Sequence, residues 1–178
     1  DKVISHYGQI DILVNNAGMA SGTASEDMTL EEWDKIIRLN LTGSFLVSRE
    51  VGKHMIARRY GKIINTCSIQ GIRCTMGMPG TPYNSSKGGD IMMVRSLAAE
   101  WAQYGITVNG IGPGYFPTDI DKEYLATDYF KGQLAMHCPM GRIGRDGELN
   151  GVLIYFASDA SSYTTGQIMY VDGGWTLV

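Results

Sequence analysis

The stretch Lys62-Ile-Ile-Asn-Thr-Cys67, followed by Ser68-Ile-Gln-Gly71, is a short apolar run that ends in polar residues and glycine. Such a run is typical of a buried strand. Similar runs cover Ile10 to Val14, Ile106 to Ile111 and Ile168 to Val171. Helical patterns separate these runs, and strands that alternate with helices predict an α/β fold built on a parallel sheet.

The helical patterns between the strands have recognisable ends. Thr29-Leu-Glu-Glu32 fits a capping box and starts a helix that we predict to bend near Gly43 and to end at about Arg59. Further helices are predicted over Tyr83 to Tyr104 and Glu148 to Ala157. Lys2 to Tyr7 is predicted to be the end of a helix. Gly112-Pro113-Gly114 is predicted to break the third strand, and Asp119 to Met140 is predicted to be a helical insert.

The composition argues against several classes of function. The chain has 178 residues, a net charge of −3 and fifteen Lys and Arg residues that form no basic stripe, so nucleic acid is not an expected partner. No apolar run reaches the roughly 20 residues that cross a bilayer, and the first residues lack the features of a signal peptide. Three cysteines without a CxxC pair indicate free thiols, and the histidines show no metal-ligand spacing. We therefore expect a cytoplasmic protein without a metal or a membrane partner.

The motif that carries the chemistry is Tyr83-Asn-Ser-Ser-Lys87. Positions four apart on a helix differ by about 40° in azimuth, so Tyr83 and Lys87 share one face. A free tyrosine titrates at about pH 10, and a cation one turn away stabilises its phenolate. Such a tyrosine is suited to general acid–base catalysis at neutral pH. For an isolated match, the alternative is a surface Tyr–Lys pair.

Two more polar residues have positions that suit a catalytic role. Ser68 follows the strand Lys62 to Cys67, where functional groups collect at the edge of a sheet, and its hydroxyl can hydrogen-bond a substrate oxygen. Asn40 is polar inside an apolar helix, and its amide is a candidate anchor for a water that relays protons from Lys87. The alternatives are a cap or turn serine for Ser68 and a satisfied buried amide at a bend for Asn40.

A turn after the third strand, Pro113-Gly114-Tyr115-Phe116-Pro117-Thr118, has the features of a ligand-binding segment. Glycine allows a ligand to approach the backbone closely, and proline fixes the turn. Free backbone amides and the Thr118 hydroxyl then suit a carboxamide. The alternative is a turn that merely ends the strand.

Together these features resemble the short-chain dehydrogenase/reductase family over Asp11 to Trp175. The matching segments are Asn15-Asn16-Ala17-Gly18, Asn40, Ser68-Ile-Gln-Gly71, Tyr83-x-x-x-Lys87, Pro113-Gly114 with Thr118, and Val171-Asp172-Gly173-Gly174. The resemblance implies one Rossmann-like catalytic domain over 1–178, a doubly wound parallel sheet to which this chain contributes strands 4 to 7. It also implies an enzyme that moves a hydride between NAD or NADP and a carbonyl or alcohol carbon.

The resemblance further assigns roles to individual residues. Tyr83 is the acid/base, and Ser68 positions the substrate oxygen. Lys87 tunes the tyrosine and binds the nicotinamide ribose, and Asn40 completes the proton relay. The residues implied to contact the cofactor are Asn16, Ala17, Gly18, Tyr83, Lys87, Pro113, Gly114, Phe116 and Thr118. Residues 119–140 correspond to the family's substrate lid, and family members are commonly homodimers or homotetramers.

A glycine-rich phosphate loop is missing from the chain, which contains neither GxGxxG nor GxxxGxG. A nucleotide-binding fold normally opens with a strand, such a loop and a helix. We therefore expect that an N-terminal part is missing, that the first strand is an exposed apolar edge, and that these residues alone neither bind cofactor well nor catalyse turnover. A hypothesis of another class is a non-catalytic remnant or interaction module, but the intact set of Asn40, Ser68, Tyr83 and Lys87 argues against it.

Within the family, three segments resemble gluconate 5-dehydrogenases and related sugar or polyol dehydrogenases: Lys62 to Gln70, Thr81-Pro82-Tyr83 and Val108 to Phe116. The resemblance implies a small-molecule substrate, namely a sugar, a sugar acid or a polyol. A 3-oxoacyl-(acyl-carrier-protein) reductase is the alternative, because the residues of the lid suit either substrate.

Overall fold

Strands and helices alternate along the part of the chain that this computed structural model describes, residues 2–118 and 122–177. The strands are β1 (Ile12–Asn15), β2 (Gly61–Thr66), β3 (Ile106–Pro113) and β4 (Ile168–Val171). The helices are α1 (Lys2–Tyr7), α2 (Leu30–Ile37), α3 (Ser44–Arg58), α4 (Thr81–Trp101), α5 (Lys122–Leu125), α6 (Asp128–His137) and α7 (Asn150–Ala157). A π-helical segment, Arg38–Gly43, joins α2 to α3, and short 3-10 turns cover Ile69–Gly71, Ala102–Tyr104, Asp159–Ser161 and Trp175–Leu177.

The four strands form one parallel sheet in the order β1-β2-β3-β4. In its centre, Ile63 of β2 lies opposite Val108 of β3, and Ile64 lies opposite Asn109. Because all the strands run in the same direction, their carboxyl ends lie along one edge of the sheet. The predicted α/β fold, with the parallel sheet of the Rossmann-like type, is confirmed.

Helices cover both faces of the two central strands, which explains why these strands are nearly continuous apolar runs. On one face, Ile63 and Val108 pack against α3 and α4, where Val94 is completely buried. On the other face, Ile64 packs in a second cluster with Phe156 of α7. These two layers hold the carboxyl ends of the strands in fixed positions.

Strand β1 lies at an edge of the sheet and pairs with β2 alone among the described residues. The side chains of Ile12 and Val14 are 44% and 43% exposed, whereas Leu13 packs against the core. The predicted exposed apolar edge strand is therefore confirmed.

Strand β3 extends further than the sequence predicted. Gly112 pairs with Tyr170 and Pro113 pairs with Val171 of β4. The missing N–H of Pro113 would face β2, whose pairing with β3 ends at Ile111, so no hydrogen bond of the ladder is lost. Gly112 leaves room for the Tyr170 ring, since a Cβ at Gly112 would lie only 2.4 Å from that ring. The prediction that Gly112-Pro113-Gly114 breaks the strand is wrong, because the strand ends only after Pro113.

The start of α2 follows the predicted capping box with one difference. The Thr29 hydroxyl accepts a hydrogen bond from the Glu32 N–H at 3.2 Å, as a capping residue does. The Glu32 carboxylate, however, turns to the preceding loop and accepts from the Thr23 hydroxyl at 2.7 Å and from the Ser21 hydroxyl. These bonds lower the pKa of Glu32 and tie the loop after β1 to α2. The bend predicted near Gly43 is the π-helical segment.

Gly105 lies in the turn before β3 with a φ of +74°, and a Cβ there would be 2.6 Å from the Arg59 carbonyl oxygen. Replacing Gly105 with Ala is expected to lower the free energy of unfolding by roughly 1–3 kcal/mol, because both the φ value and the contact become strained. Urea denaturation measures the change. The matched control is Gly132→Ala inside α6, where nothing lies within 4 Å of the added Cβ; this change should stabilise the protein by up to about 1 kcal/mol. Equal stabilities of the two variants would contradict the prediction.

Candidate active site

The carboxyl ends of β1, β2 and β3 open into a cavity of about 290 Å³. The predicted site residues that line it are Asn16, Gly18, Ser68, Tyr83, Lys87, Pro113, Gly114, Phe116 and Thr118. Ala17 and Asn40 are not part of its lining. The parallel sheet thus brings residues from distant segments of the sequence to one place.

Tyr83 and Lys87 lie one turn apart near the start of α4, and both face the cavity. The Lys87 Nζ lies 5.8 Å from the centroid of the Tyr83 ring. Pro82 stands in the first turn of this helix, where its missing N–H is tolerated and its fixed φ favours the helical conformation. The prediction that the spacing places Tyr83 and Lys87 on one face is confirmed.

The Lys87 ammonium is held at the end of β2. Lys87 is only 5% exposed, and its Nζ donates to the carbonyl oxygen of Thr66 at 2.6 Å. Its second partner is the Asp90 carboxylate, with Nζ and Oδ2 3.4 Å apart. A buried ammonium needs such partners because it has left water. These contacts keep a positive charge beside the Tyr83 ring.

Ser68 follows β2 and lines the same cavity as Tyr83. Its hydroxyl accepts a hydrogen bond from the Gln70 N–H at 3.1 Å, so it caps the short 3-10 turn Ile69–Gly71. Ser68 therefore caps this turn, as the alternative interpretation predicted, and also lines the cavity. A hydroxyl that accepts one bond can still donate its own hydrogen, so both functions are compatible.

Asn40 lies in the π-helical segment and is completely buried. Its Oδ1 accepts from the Met19 N–H at 2.9 Å, and its Nδ2 donates to the Met19 carbonyl at 2.9 Å and to the Ser86 hydroxyl at 3.0 Å. The side-chain amide therefore ties the chain after β1 to α4, as the buried-amide alternative requires. One acceptor position of Oδ1 is not used by these bonds.

The space beside Gly18 lies between Asn40 and the Tyr–Lys pair. A Cβ at Gly18 would lie 3.6 Å from Asn40 Oδ1 and 3.9 Å from Lys87 Nζ, so the absence of a side chain keeps this space open. The ammonium of Lys87 and the hydroxyls of Ser68 and Tyr83 are donors of the kind that ribose hydroxyls and a substrate oxygen need. The residues at this point fit the nicotinamide end of a dinucleotide.

Hydrogen bonds hold the polar wall of the cavity in place. Thr66 Oγ1 donates to Asn16 Oδ1 at 2.8 Å. Gln70 Nε2 donates to Thr75 Oγ1 at 3.0 Å and to the Tyr115 hydroxyl at 3.1 Å, which links the loop after β2 to the turn after β3. Sequence reasoning gave Gln70 no role; its position two residues after Ser68 is the signal that could have found it.

A buried acid behind Lys87 was also missed. Asp90 is 1% exposed, and burial raises the pKa of its carboxyl to about 6, although Lys87 and Asn65 act to lower it. Burial, together with the charge of Asp90, raises the pKa of the neighbouring Cys67 thiol to about 12. The signal in the sequence is an acidic residue three positions after Lys87 on a face of α4 that continues with the apolar residues Val94 and Leu97.

A parallel α/β sheet with a Tyr–Lys pair and a serine at its strand ends is the architecture of a class of nicotinamide-dependent oxidoreductases. A family model described as enoyl-(acyl carrier protein) reductase matches residues 1–176. Together with the relatives below, this match shows that the chain belongs to the short-chain dehydrogenase/reductase family. The family expected from the sequence motifs is confirmed.

Relatives within the family include sugar-acid enzymes. The chain is 37% identical over 171 residues to gluconate 5-dehydrogenase from Gluconobacter oxydans, covering 96% of this chain and 66% of the relative. It is 39% identical over 178 residues to a 3-oxoacyl-(acyl-carrier-protein) reductase from Thermotoga maritima, covering 99% and 70%. A crystal structure of gluconate 5-dehydrogenase from Burkholderia cenocepacia in complex with NADP and tartrate matches with a TM-score of 0.96 and 40% identity, covering 100% of this chain and 69% of that one. The resemblance to gluconate 5-dehydrogenases is confirmed, and the chain spans about two thirds of the length of these proteins.

Neither a membrane span nor a metal cluster occurs in residues 2–118 and 122–177. No helix in these ranges is long and apolar enough to cross a bilayer. No three His, Cys, Asp or Glu side chains in them are placed to hold one metal ion together.

The raised pKa of Asp90 predicts a pH dependence of stability. The pKa of Asp90 has its ordinary value of 3.8 in the unfolded chain and is about 6 in the folded protein. At a pH between these two values, the folded protein therefore holds the proton of Asp90 more tightly than the unfolded chain does. The stabilisation from this group is therefore complete below about pH 4 and is lost as the pH rises to about 6. The expected loss is on the order of 1–3 kcal/mol.

Urea denaturation of the wild type and of Asp90→Asn at about pH 4.5 and pH 6.5 measures this loss. The change in the free energy of unfolding between the two pH values, compared between the two proteins, isolates the titration of Asp90. The wild type should lose more free energy of unfolding over this interval than the variant. An identical pH dependence in the two proteins would show that Asp90 titrates in the ordinary range.

Proposed function

We propose that the full-length protein containing this chain is an NAD(P)-dependent oxidoreductase that interconverts a secondary alcohol and a ketone, with Tyr83 as its acid/base. The observation that carries the proposal is the convergence of Ser68, Tyr83 and Lys87 on one cavity at the carboxyl ends of parallel strands. In open α/β sheets, ligands bind at this edge. Membership of the family supports the same activity.

In the proposed mechanism, a bound nicotinamide supplies the hydride in reduction and accepts it in oxidation. During reduction, the Tyr83 hydroxyl gives its proton to the substrate oxygen as the carbonyl becomes an alcohol; during oxidation, the phenolate takes the alcohol proton. The Ser68 hydroxyl holds the substrate oxygen by donating a hydrogen bond to it. The ammonium of Lys87 stabilises the phenolate through its positive charge.

The proton that Tyr83 releases or takes up must be exchanged with solvent, and we assign this relay to Lys87 and Asn40. The space beside Gly18 lies within 4 Å of both Asn40 Oδ1 and Lys87 Nζ. A water there would accept from the ammonium and donate to the unused acceptor position of Asn40. Asn40 has a second, structural task in this proposal, because it fixes the Met19 backbone.

The cofactor would lie across the strand ends. The turn Asn16-Ala17-Gly18 would begin on the proposed adenosine side and end at Gly18, which lies beside Lys87. Tyr83 and Lys87 would approach the nicotinamide ribose there. Across the cavity, the turn after β3 would meet the nicotinamide carboxamide through Pro113, Gly114, Phe116 and Thr118. The Phe116 ring is seated against Gly144, where a Cβ would lie 2.2 Å from it.

The substrate we propose is a sugar acid such as gluconate or its keto form. The relatives named for gluconate chemistry support this, and so do the side chains that line the cavity near Ser68. Gln70 and Asn84 lie there: Gln70 offers its Oε1 as an acceptor, because its Nε2 bonds Thr75 and Tyr115, and Asn84 offers amide donors and an acceptor. A carboxylate and a chain of hydroxyls require polar partners of this kind.

A 3-oxoacyl thioester is the second candidate substrate. The observation in its favour is an apolar part of the same cavity, to which Met78, Pro79 and Leu149 contribute. The Thermotoga maritima relative is named for this reaction. An acyl chain needs such an apolar surface, whereas a sugar acid does not.

We also propose one catalytic domain over 1–178 with a lid at 119–140, of which residues 119–121 lie outside the described part. The lid contains α5 and α6, and Phe130 of α6 packs against Tyr115 and Trp175. A homodimer or homotetramer in the cytoplasm is the proposed assembly and location. Exposed apolar side chains on the outer surfaces of α3 and α4 support the assembly: Phe45, Leu46, Val47 and Met92.

Replacing Tyr83 with Phe tests the assignment of the acid/base. The variant of the full-length enzyme should lose roughly 10²–10⁴-fold in kcat, because it lacks the proton that general acid catalysis supplies. Cofactor affinity, measured by fluorescence titration, should stay nearly unchanged. Tyr60→Phe is the matched control, since the Tyr60 hydroxyl bonds Asp159 at the opposite end of β2. If Tyr83→Phe keeps more than a few per cent of the activity, the assignment is wrong.

A substrate panel separates the two candidate substrates. Oxidation of gluconate and polyols, and reduction of 5-ketogluconate and acetoacetyl thioesters, are measured with both nicotinamides. We expect kcat/KM for the sugar acid to exceed that for the thioester by at least about tenfold, because buried polar groups left unpaired by an acyl chain reduce its binding in the transition state. The reverse order would favour the acyl reductase.

A further inference from the structure

Asp90 is a buried acid that the proposed mechanism does not use. It lies on α4 three residues after Lys87 and seven after Tyr83, so all three project from one face of the helix. Asp90 is 1% exposed, and its neighbours along this face, Ile91 and Val94, are core residues. A carboxylate in such a position costs free energy unless it has a partner.

The contacts of Asp90 connect it to the Tyr–Lys pair. Its Oδ2 lies 3.4 Å from Lys87 Nζ, which also donates to the Thr66 carbonyl at 2.6 Å. Its Oδ1 has no hydrogen bond of normal geometry among the described residues, and the Nδ2 of Asn65 has none either. Asn65 is nevertheless close enough to lower the pKa of Asp90. The main partner of the Asp90 carboxylate is therefore the Lys87 ammonium.

Two titratable groups face Asp90. One is Lys87 on its own helix, and the other is the Cys67 thiol after β2, on whose pKa the charge of Asp90 acts. The other elements packed against α4 bring no competing charge among the described residues. Glu31, Asp34 and Lys35 of α2 and Arg38 of the π-helical segment are exposed, and Glu32 of α2 is engaged by hydroxyls of the preceding loop. The 3-10 turn Ile69–Gly71 and β3 contain no ionisable side chain.

We propose that Asp90 is a positioning residue for catalysis, which holds the Lys87 ammonium against the end of β2 and partly offsets its charge, so that it sets how strongly Lys87 stabilises the Tyr83 phenolate. This inference rests on the proposed function of Tyr83 and Lys87. Asp90 touches neither the substrate nor the cofactor in this assignment, and it acts only through the lysine.

The charge of Asp90 decides the direction of the effect. With an ionised Asp90, the pair Lys87–Asp90 has no net charge, and the phenolate experiences a weakened positive field. With a neutral residue at this position, the full charge of the ammonium acts on the phenolate and favours its formation at lower pH. For two charges about 10 Å apart at an effective dielectric constant of about 20, the shift is on the order of one pH unit.

The experiment uses the full-length enzyme and the variant Asp90→Asn, which removes the charge and keeps the shape. The pH profile of kcat/KM for alcohol oxidation should shift to lower pH by about one unit relative to the wild type. Tyrosinate absorbance gives a second measurement that does not depend on activity. The absorbance of Tyr83 is obtained by subtracting the spectrum of the Tyr83→Phe derivative of each protein, and its pH midpoint should shift in the same direction. Asp90→Glu keeps the charge and should restore most of the wild-type profile.

Ser48→Ala is the matched control, because Ser48 is buried in the same polar region, bonded to Asn15, but carries no charge. If Asp90→Asn does not fold, Asp90→Thr provides the same test with a neutral side chain of smaller size. Wild-type midpoints in the neutral variants, or an equal shift in Ser48→Ala, would overturn the role of Asp90. Failure of the proposed function is seen separately, as full activity of Tyr83→Phe.

Discussion

The hydrogen bond from the Lys87 ammonium to the last carbonyl of β2 joins the sheet to the helix that carries the proposed chemistry. Its length of 2.6 Å and the burial of the lysine leave little freedom to either group. A charge in this position requires partners from both layers, since water does not surround it. The site therefore exists only when β2 and α4 are docked in their final arrangement, and the parallel pairing of β2 with its neighbours makes that arrangement possible.

The sequence allowed the fold and the central motif to be predicted because both depend on local patterns. Apolar runs separated by helical patterns indicate strands in a parallel sheet, and the four-residue spacing of Tyr83 and Lys87 indicates a shared face on any helix. The position of Ser68 after a buried strand was equally accessible. In each of these cases the relevant contacts are set by neighbours along the chain or by the period of an element.

The features that escaped prediction depend on contacts between distant segments. The extension of β3 through Pro113 is decided by its pairing with β4. The amide of Asn40 is engaged by Met19 and Ser86, and neither partner can be identified from helical spacing. The carboxylate of Glu32 prefers hydroxyls of the preceding loop to its own helix end. The amino-acid sequence alone does not show which of several possible partners a polar side chain will contact in the folded protein.

The π-helical segment has an implication for how this chain can change over time. Hydrogen bonds in a π turn span five residues instead of four, so the segment accommodates one residue more than a regular helix would. Removing one residue from this segment would restore the regular helical period and rotate the parts before and after the deletion by about 100° relative to each other, so that Asn40 and α3 could not both keep their contacts. Point substitutions at the exposed positions of Arg38–Gly43 leave this geometry intact, whereas an insertion or deletion there would break the contacts by which Asn40 connects the chain after β1 to α4.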